Sequence, residues 1–115
     1  MPDAHVVSDY DNAMRRHRAA RDEVVPLLRR LALGTLADVL PGAATIEALG
    51  ELSEDWSPTL RVERVRDADG RVLFDVETGH PDHAVEDAVD VVDIEYLDVL
   101  IDLTGDEYMG HILID

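Results

Sequence analysis

Metal-binding chemistry is the first that residue types and spacing suggest. His80-Pro81-Asp82-His83 is followed by Glu86 and Asp87. On a helix that starts near Asp82, His83 and Glu86 stand one turn apart, and His80 can swing in from the preceding loop. Neutral imidazole and carboxylate suit zinc or manganese. The same spacing is also an ordinary loop–helix junction with inert histidines, so no resident metal or cofactor is expected. Asp98, Asp102 and Asp106 recur every four residues and, on one helix face, could hold a divalent ion through oxygen. A solvated acidic face has the same pattern. Asp67-Ala68-Asp69-Gly70 resembles the start of a calcium loop, but an EF-hand places its Gly two positions later and an acid at its twelfth residue, where Thr78 stands.

Other catalytic signals are weak. The chain has no Cys, which removes thiolate ligands, cysteine nucleophiles and disulfides. No Ser or Thr sits in a nucleophile motif. Gly34, Gly42 and Gly50 lack the spacing of a phosphate-binding loop. With 26 acidic residues, a catalytic carboxylate pair cannot be singled out without a cleft to raise one pKa. A non-enzymatic role is expected, and a metal-dependent enzyme around His80 and His83 is the remaining catalytic reading.

Charge is the strongest compositional signal. The net charge is -16 over 115 residues. All ten basic residues are arginines, and all lie between Arg15 and Arg71. The absence of Lys points to a GC-rich genome or a salt-adapted source. Beyond Arg71 only His80, His83 and His111 can carry positive charge, against a long series of acids. Arg15, Arg16, His17, Arg18 and Arg21 form a basic cluster, but without interleaved aromatics and on a chain that repels phosphate overall, so nucleic-acid binding is not expected. The acidic segment 82–107 is instead expected to face a basic protein partner, in the manner of an inhibitor, an immunity protein or a nucleic-acid mimic. The partner-binding candidates are Asp87, Asp90, Asp98, Asp102, Asp106 and Glu107, with the lone Trp56 as an interface anchor. For Trp56, packing back over the core edge is the commoner outcome for an aromatic ring. The alternative role is an oligomeric accessory or scaffold domain, self-associating through Ile94, Tyr96, Ile101, Ile112 and Ile114 and acidic for solubility or salt adaptation.

These residues need elements to position them. The length fits one α+β domain. No apolar run approaches membrane-spanning length and no signal peptide is evident, so a soluble cytoplasmic protein is expected. Residues 1–7 are expected to be disordered. From Asp9 to Leu40 the apolar residues recur at helical steps, with Ser8 as cap. Pro26 predicts a kinked helix or two helices, 9–24 and 26–40, and Pro41-Gly42 ends the run. Residues 44–52 alternate as a first strand. Thr59 to Glu77 reads as a β-hairpin about the Asp67–Gly70 turn, with strands 59–66 and 71–77. A plain register pairs Val62 with Val76 and Arg64 with Phe74. That puts Arg64 and Arg66 on the apolar face, from which they must reach past it to water. The three strands form an antiparallel meander. Asp82 can cap an acidic C-terminal helix over 83–103, but its β-branched residues and four-spaced acids favour a break near Asp93 into a helix pair. His111 to Asp115 is a possible short terminal edge strand.

Overall fold

The computed structural model describes residues 4–104 and 109–115. The fold is α+β. In chain order it runs α1 (Ala4–Val39), β1 (Ala43–Leu52), β2 (Pro58–Asp67), β3 (Val72–Asp75), α2 (His83–Val91), a π-helical segment (Val92–Leu97), α3 (Asp98–Thr104) and β4 (Gly110–Ile114). The four strands form one antiparallel sheet in the order β3-β2-β1-β4. The expected three-stranded meander is present, and the terminal strand adds to the free edge of β1, where Ile114 pairs with Ile46.

α1 is a single helix running through Pro26. Proline removes one backbone donor, and the turns beyond it are held by burial of Leu28, Ala32 and Leu36 in the core. Residues 4–7 of the stretch expected to be disordered are helical, and Ser8 lies inside the helix and does not cap it; residues 1–3 lie outside the described residues. The helix ends where Gly42 takes a left-handed φ of 88° and the Ala43 N–H donates to the Leu40 carbonyl.

The plain hairpin register holds at Arg66–Val72, and β-bulges shift it beyond that pair. β1 pairs Glu47 with Arg64 but Ala48 with Val62, so Glu63 is an extra residue on β2. The alternation of β2 flips there. Leu60, Val62 and Val65 all point into the core, and Arg64 and Arg66 turn to the opposite face. On the other side, Val65 pairs with Phe74 and Arg64 with Asp75, leaving Leu73 as the extra residue. The two arginines therefore never cross an apolar layer. Glu47 accepts from Arg66 and from Arg64 (2.9 Å), and Arg64 also donates to Asp75 (3.1 Å). The hairpin turn forms as expected: Asp67 Oδ1 accepts from the Asp69 and Arg71 N–H groups, and Gly70 has φ 85°.

One sheet face carries Ile46, Ala48, Leu60, Val62, Val65, Phe74 and Ile114, all buried. The second half of α1 and the C-terminal helices supply the covering layer: Leu28, Ala32, Leu36, Val85, Val89, Val92, Leu97, Leu100 and Ile101. The expected break near Asp93 is a π turn. Asp98 N–H donates to the Asp93 carbonyl, five residues back. The step from buried Val92 to buried Leu97 is also five residues, and the wider turn keeps α2 and α3 facing the same core.

Candidate partner-binding surface

The histidine cluster does not assemble as a metal site. Asp82 caps α2, its carboxylate accepting the Ala84 N–H at 2.9 Å. The His80 ring is turned back on its own loop, with Nδ1 accepting the Asp82 N–H (3.0 Å). Glu86 reaches the same loop and accepts the His80 N–H at 2.8 Å. His83 is exposed on the first turn. The two candidate ligands His80 and Glu86 thus serve to fasten the β3–α2 loop. Among the described residues no group of three or more His, Asp or Glu side chains converges to hold a metal ion. Nor is any described helix long and apolar enough to cross a membrane.

The acidic candidates divide. Asp87, Asp90 and Asp102 are exposed on the solvent side of the C-terminal helices. Asp98 is engaged with Arg61 Nη1 at 2.5 Å, which withdraws it from a partner. Asp106 and Glu107 lie outside the described residues. Exposed Glu95 joins the same side. Interspersed with these acids are three exposed aliphatics, Val91, Ile94 and Val99, with Ile94 65% exposed. The opposite side of the segment is buried, so acids and aliphatics share one outward face. The sequence does not single out Val91 and Val99, and it places Ile94 only in a self-association surface. For Val91 and Ile94 the signal is phase, since both fall off the helical stripe of Val85, Val89 and Val92; Val99 lies on that stripe and faces outward only because the π segment precedes it.

Ile101 and Ile114 are 2% and 0% exposed, and Ile112 and Tyr96 pack against the core. The expected self-association surface built on them is therefore interior, leaving Ile94 alone of that set in solvent.

Asp93 is a second residue that the sequence does not single out. β3 is short: past its end the Val76 N–H still reaches the Glu63 carbonyl at 2.9 Å, but the Leu60–Val62 part of β2 has no strand neighbour on that side. Asp93 closes this gap, its carboxylate accepting the Val62 N–H at 2.8 Å. Burial pushes the Asp93 carboxyl up to about 6. The Val62 N–H and the Arg61 charge pull against that shift, while Asp90 and Asp98 add to it.

Trp56 does not fold over the core edge. It is 78% exposed at the tip of the β1–β2 hairpin. The tip is pinned by polar groups. Asp55 accepts from the Ser53 hydroxyl and from the Ser57 N–H (3.1 Å), and these bonds hold its carboxyl below the usual value. Trp56 N–H donates to the Ser53 carbonyl at 2.9 Å. The turn leaves Trp56 at φ 66°, a backbone conformation uncommon for a large side chain.

The open face of the sheet holds the arginine network and a shallow groove of about 350 Å³ beside Leu49, Glu51, Glu63, Glu77 and His111. One oxygen of Glu63, Oε2, is buried without a hydrogen-bond partner and lies 3.5 Å from His111 Nδ1. No family model, no curated protein and no solved structure matches the chain.

Proposed function

We propose that the chain is a non-enzymatic binding protein that presents the outward face of α2, the π segment and α3 to a basic protein. The observation that carries this reading is the composition of that face: Val91, Ile94 and Val99 exposed among Asp87, Asp90, Glu95 and Asp102. An apolar centre supplies area to desolvate. A rim of one charge sign steers an oppositely charged partner and rejects others. No Lys or Arg follows Arg71, so nothing in this half of the chain weakens the field. Inhibitors, immunity proteins and nucleic-acid mimics use such faces against basic targets. Exposed Trp56 is a second anchor of the type that dominates binding energy when buried by a partner.

The test is capture from native lysate at low salt with three baits: the natural chain, a D87N/D90N/D102N variant and an I94D variant. A single basic protein, released by salt and missing from both variants, supports the reading. Equal capture by all three baits refutes it.

A further inference from the structure

Over Ala4 to Val24, α1 touches little of the domain: every side chain in this span is exposed except Met14 and Arg21, which are half-covered. Among the described residues, the first buried in the core is Leu28. A helical arm of this kind gains little from burial, and an isolated helix of about this length is marginal in water. Yet it carries Val6, Val7 and Tyr10 at one end and Val24 and Leu27 at the other, with Tyr10 64% and Val6 63% exposed.

Their spacing is that of a helix-pairing seam. Val7, Met14 and Arg21 recur every seven residues, and Tyr10, His17 and Val24 fall three residues after each; the next position in the first row, Leu28, is already taken into the core. Val6, Ala13, Ala20 and Leu27 flank the seam on one side. Asp11, Arg18 and Val25 flank it on the other.

We propose that this arm pairs antiparallel with the same arm of a second copy of the chain, over residues 4–27. The pattern is self-complementary about a two-fold axis between Arg15 and Arg16. Val7 then faces Val24 of the second copy, Val6 faces Leu27, Tyr10 faces Arg21 and Met14 faces His17. Each interaction occurs twice. The two flanking charges meet as opposites, Asp11 against Arg18. The other flank brings Ala13 against Ala20, both small enough for close approach of the two helices. Every large exposed apolar side chain of the arm is used. A parallel pair would set Arg21 against Arg21 and His17 against His17 in the seam. The paired length is about 36 Å. A shallow depression of about 300 Å³ between Tyr10, Asp11, Met14, Arg15 and Arg18 is where the second copy's His17 would seat. This dimer is independent of the acidic face and of the function proposed for it.

The absence of Cys makes the test clean. Sedimentation equilibrium of the full chain at about 100 µM should give twice the chain mass of 12.8 kDa. Asp11→Arg and Arg18→Asp should each weaken association about tenfold, and the double variant should restore it, since the pair is only exchanged. Folding is controlled by far-UV circular dichroism, because both positions are exposed. Oxidising a mixture of Val7→Cys and Val24→Cys chains should give a 7–24 cross-link. A monomer mass, a double variant as weak as the singles, or efficient cross-linking of Val7→Cys to itself would each overturn the proposal.

Discussion

Asp93→Asn should make the protein more stable at neutral pH, although it removes a charge that accepts a backbone hydrogen bond. The Asp93 carboxyl is shifted from 3.8 to about 6, chiefly by burial. The folded state therefore holds this proton more tightly than the unfolded chain. The stabilisation from that proton is fully present below about pH 4 and is lost as pH rises through about 6; above that, the folded state carries an ionised, partly buried carboxylate. The shift corresponds to roughly 3 kcal/mol at most. Part of the carboxyl remains open to water, so about 1–2 kcal/mol is the realistic size. Asn is neutral at every pH, and its Oδ1 can still accept the Val62 N–H. Urea denaturation of both proteins should show Asp93→Asn ahead by about 1–2 kcal/mol near pH 7.5, with the gap closing toward pH 4. Comparing the two chains cancels the self-repulsion of the remaining acids. A variant less stable than the natural chain near pH 7.5, or a difference that does not change with pH, would refute the reasoning. Asp93→Ala separates the two roles, because it leaves the Val62 N–H without its acceptor and should be destabilised by about 1–3 kcal/mol relative to Asp93→Asn.

Four further outcomes follow from the fold. Phe74→Ala removes the only Phe, 3% exposed against Val65, and should cost about 3–5 kcal/mol in denaturant unfolding. Gly79→Ala places a Cβ 2.8 Å from Glu86 Oε1 at a residue with φ 68°; thermal melting should fall by several degrees, roughly 1–2 kcal/mol. Glu47→Gln weakens two arginine contacts on the open sheet face and should lower stability by about 1 kcal/mol near pH 7, with the deficit shrinking as acid protonates Glu47, whose pKa is lowered first by Arg66 and then by Arg64. Trp56 fluorescence should be red-shifted and readily quenched by acrylamide in the free protein, as its exposure requires.

Much of the architecture is legible in the residues. Asp67-Ala68-Asp69-Gly70 fixes the hairpin because each residue type suits its turn position, and the Asp82 cap and the Pro41-Gly42 stop are likewise local chemistry. What is not legible depends on distant partners. Glu63 becomes a bulge because β1 and β3 together require Val65, Phe74 and Val62 inside, and no local pattern shows where a strand will absorb an extra residue. The π turn is visible only as a conflict: β-branched residues and four-spaced acids crowd the segment, and Val91 and Ile94 fall off the helical stripe of Val85, Val89 and Leu100. Glu86 and His80 look like ligands because their spacing cannot reveal that the loop's own N–H groups claim them. Asp93 cannot be distinguished from the other acids without the unpaired edge of β2 that it covers.

The acidic face is most directly tested by the affinity of the partner captured at low salt, measured for the natural chain and for D87N/D90N/D102N over a range of ionic strength. Binding by the natural chain should weaken steeply with salt, and the variant should bind more weakly at low salt with a flatter salt dependence. Failure to capture any basic protein, or equal affinity and equal salt slope for both chains, would contradict it.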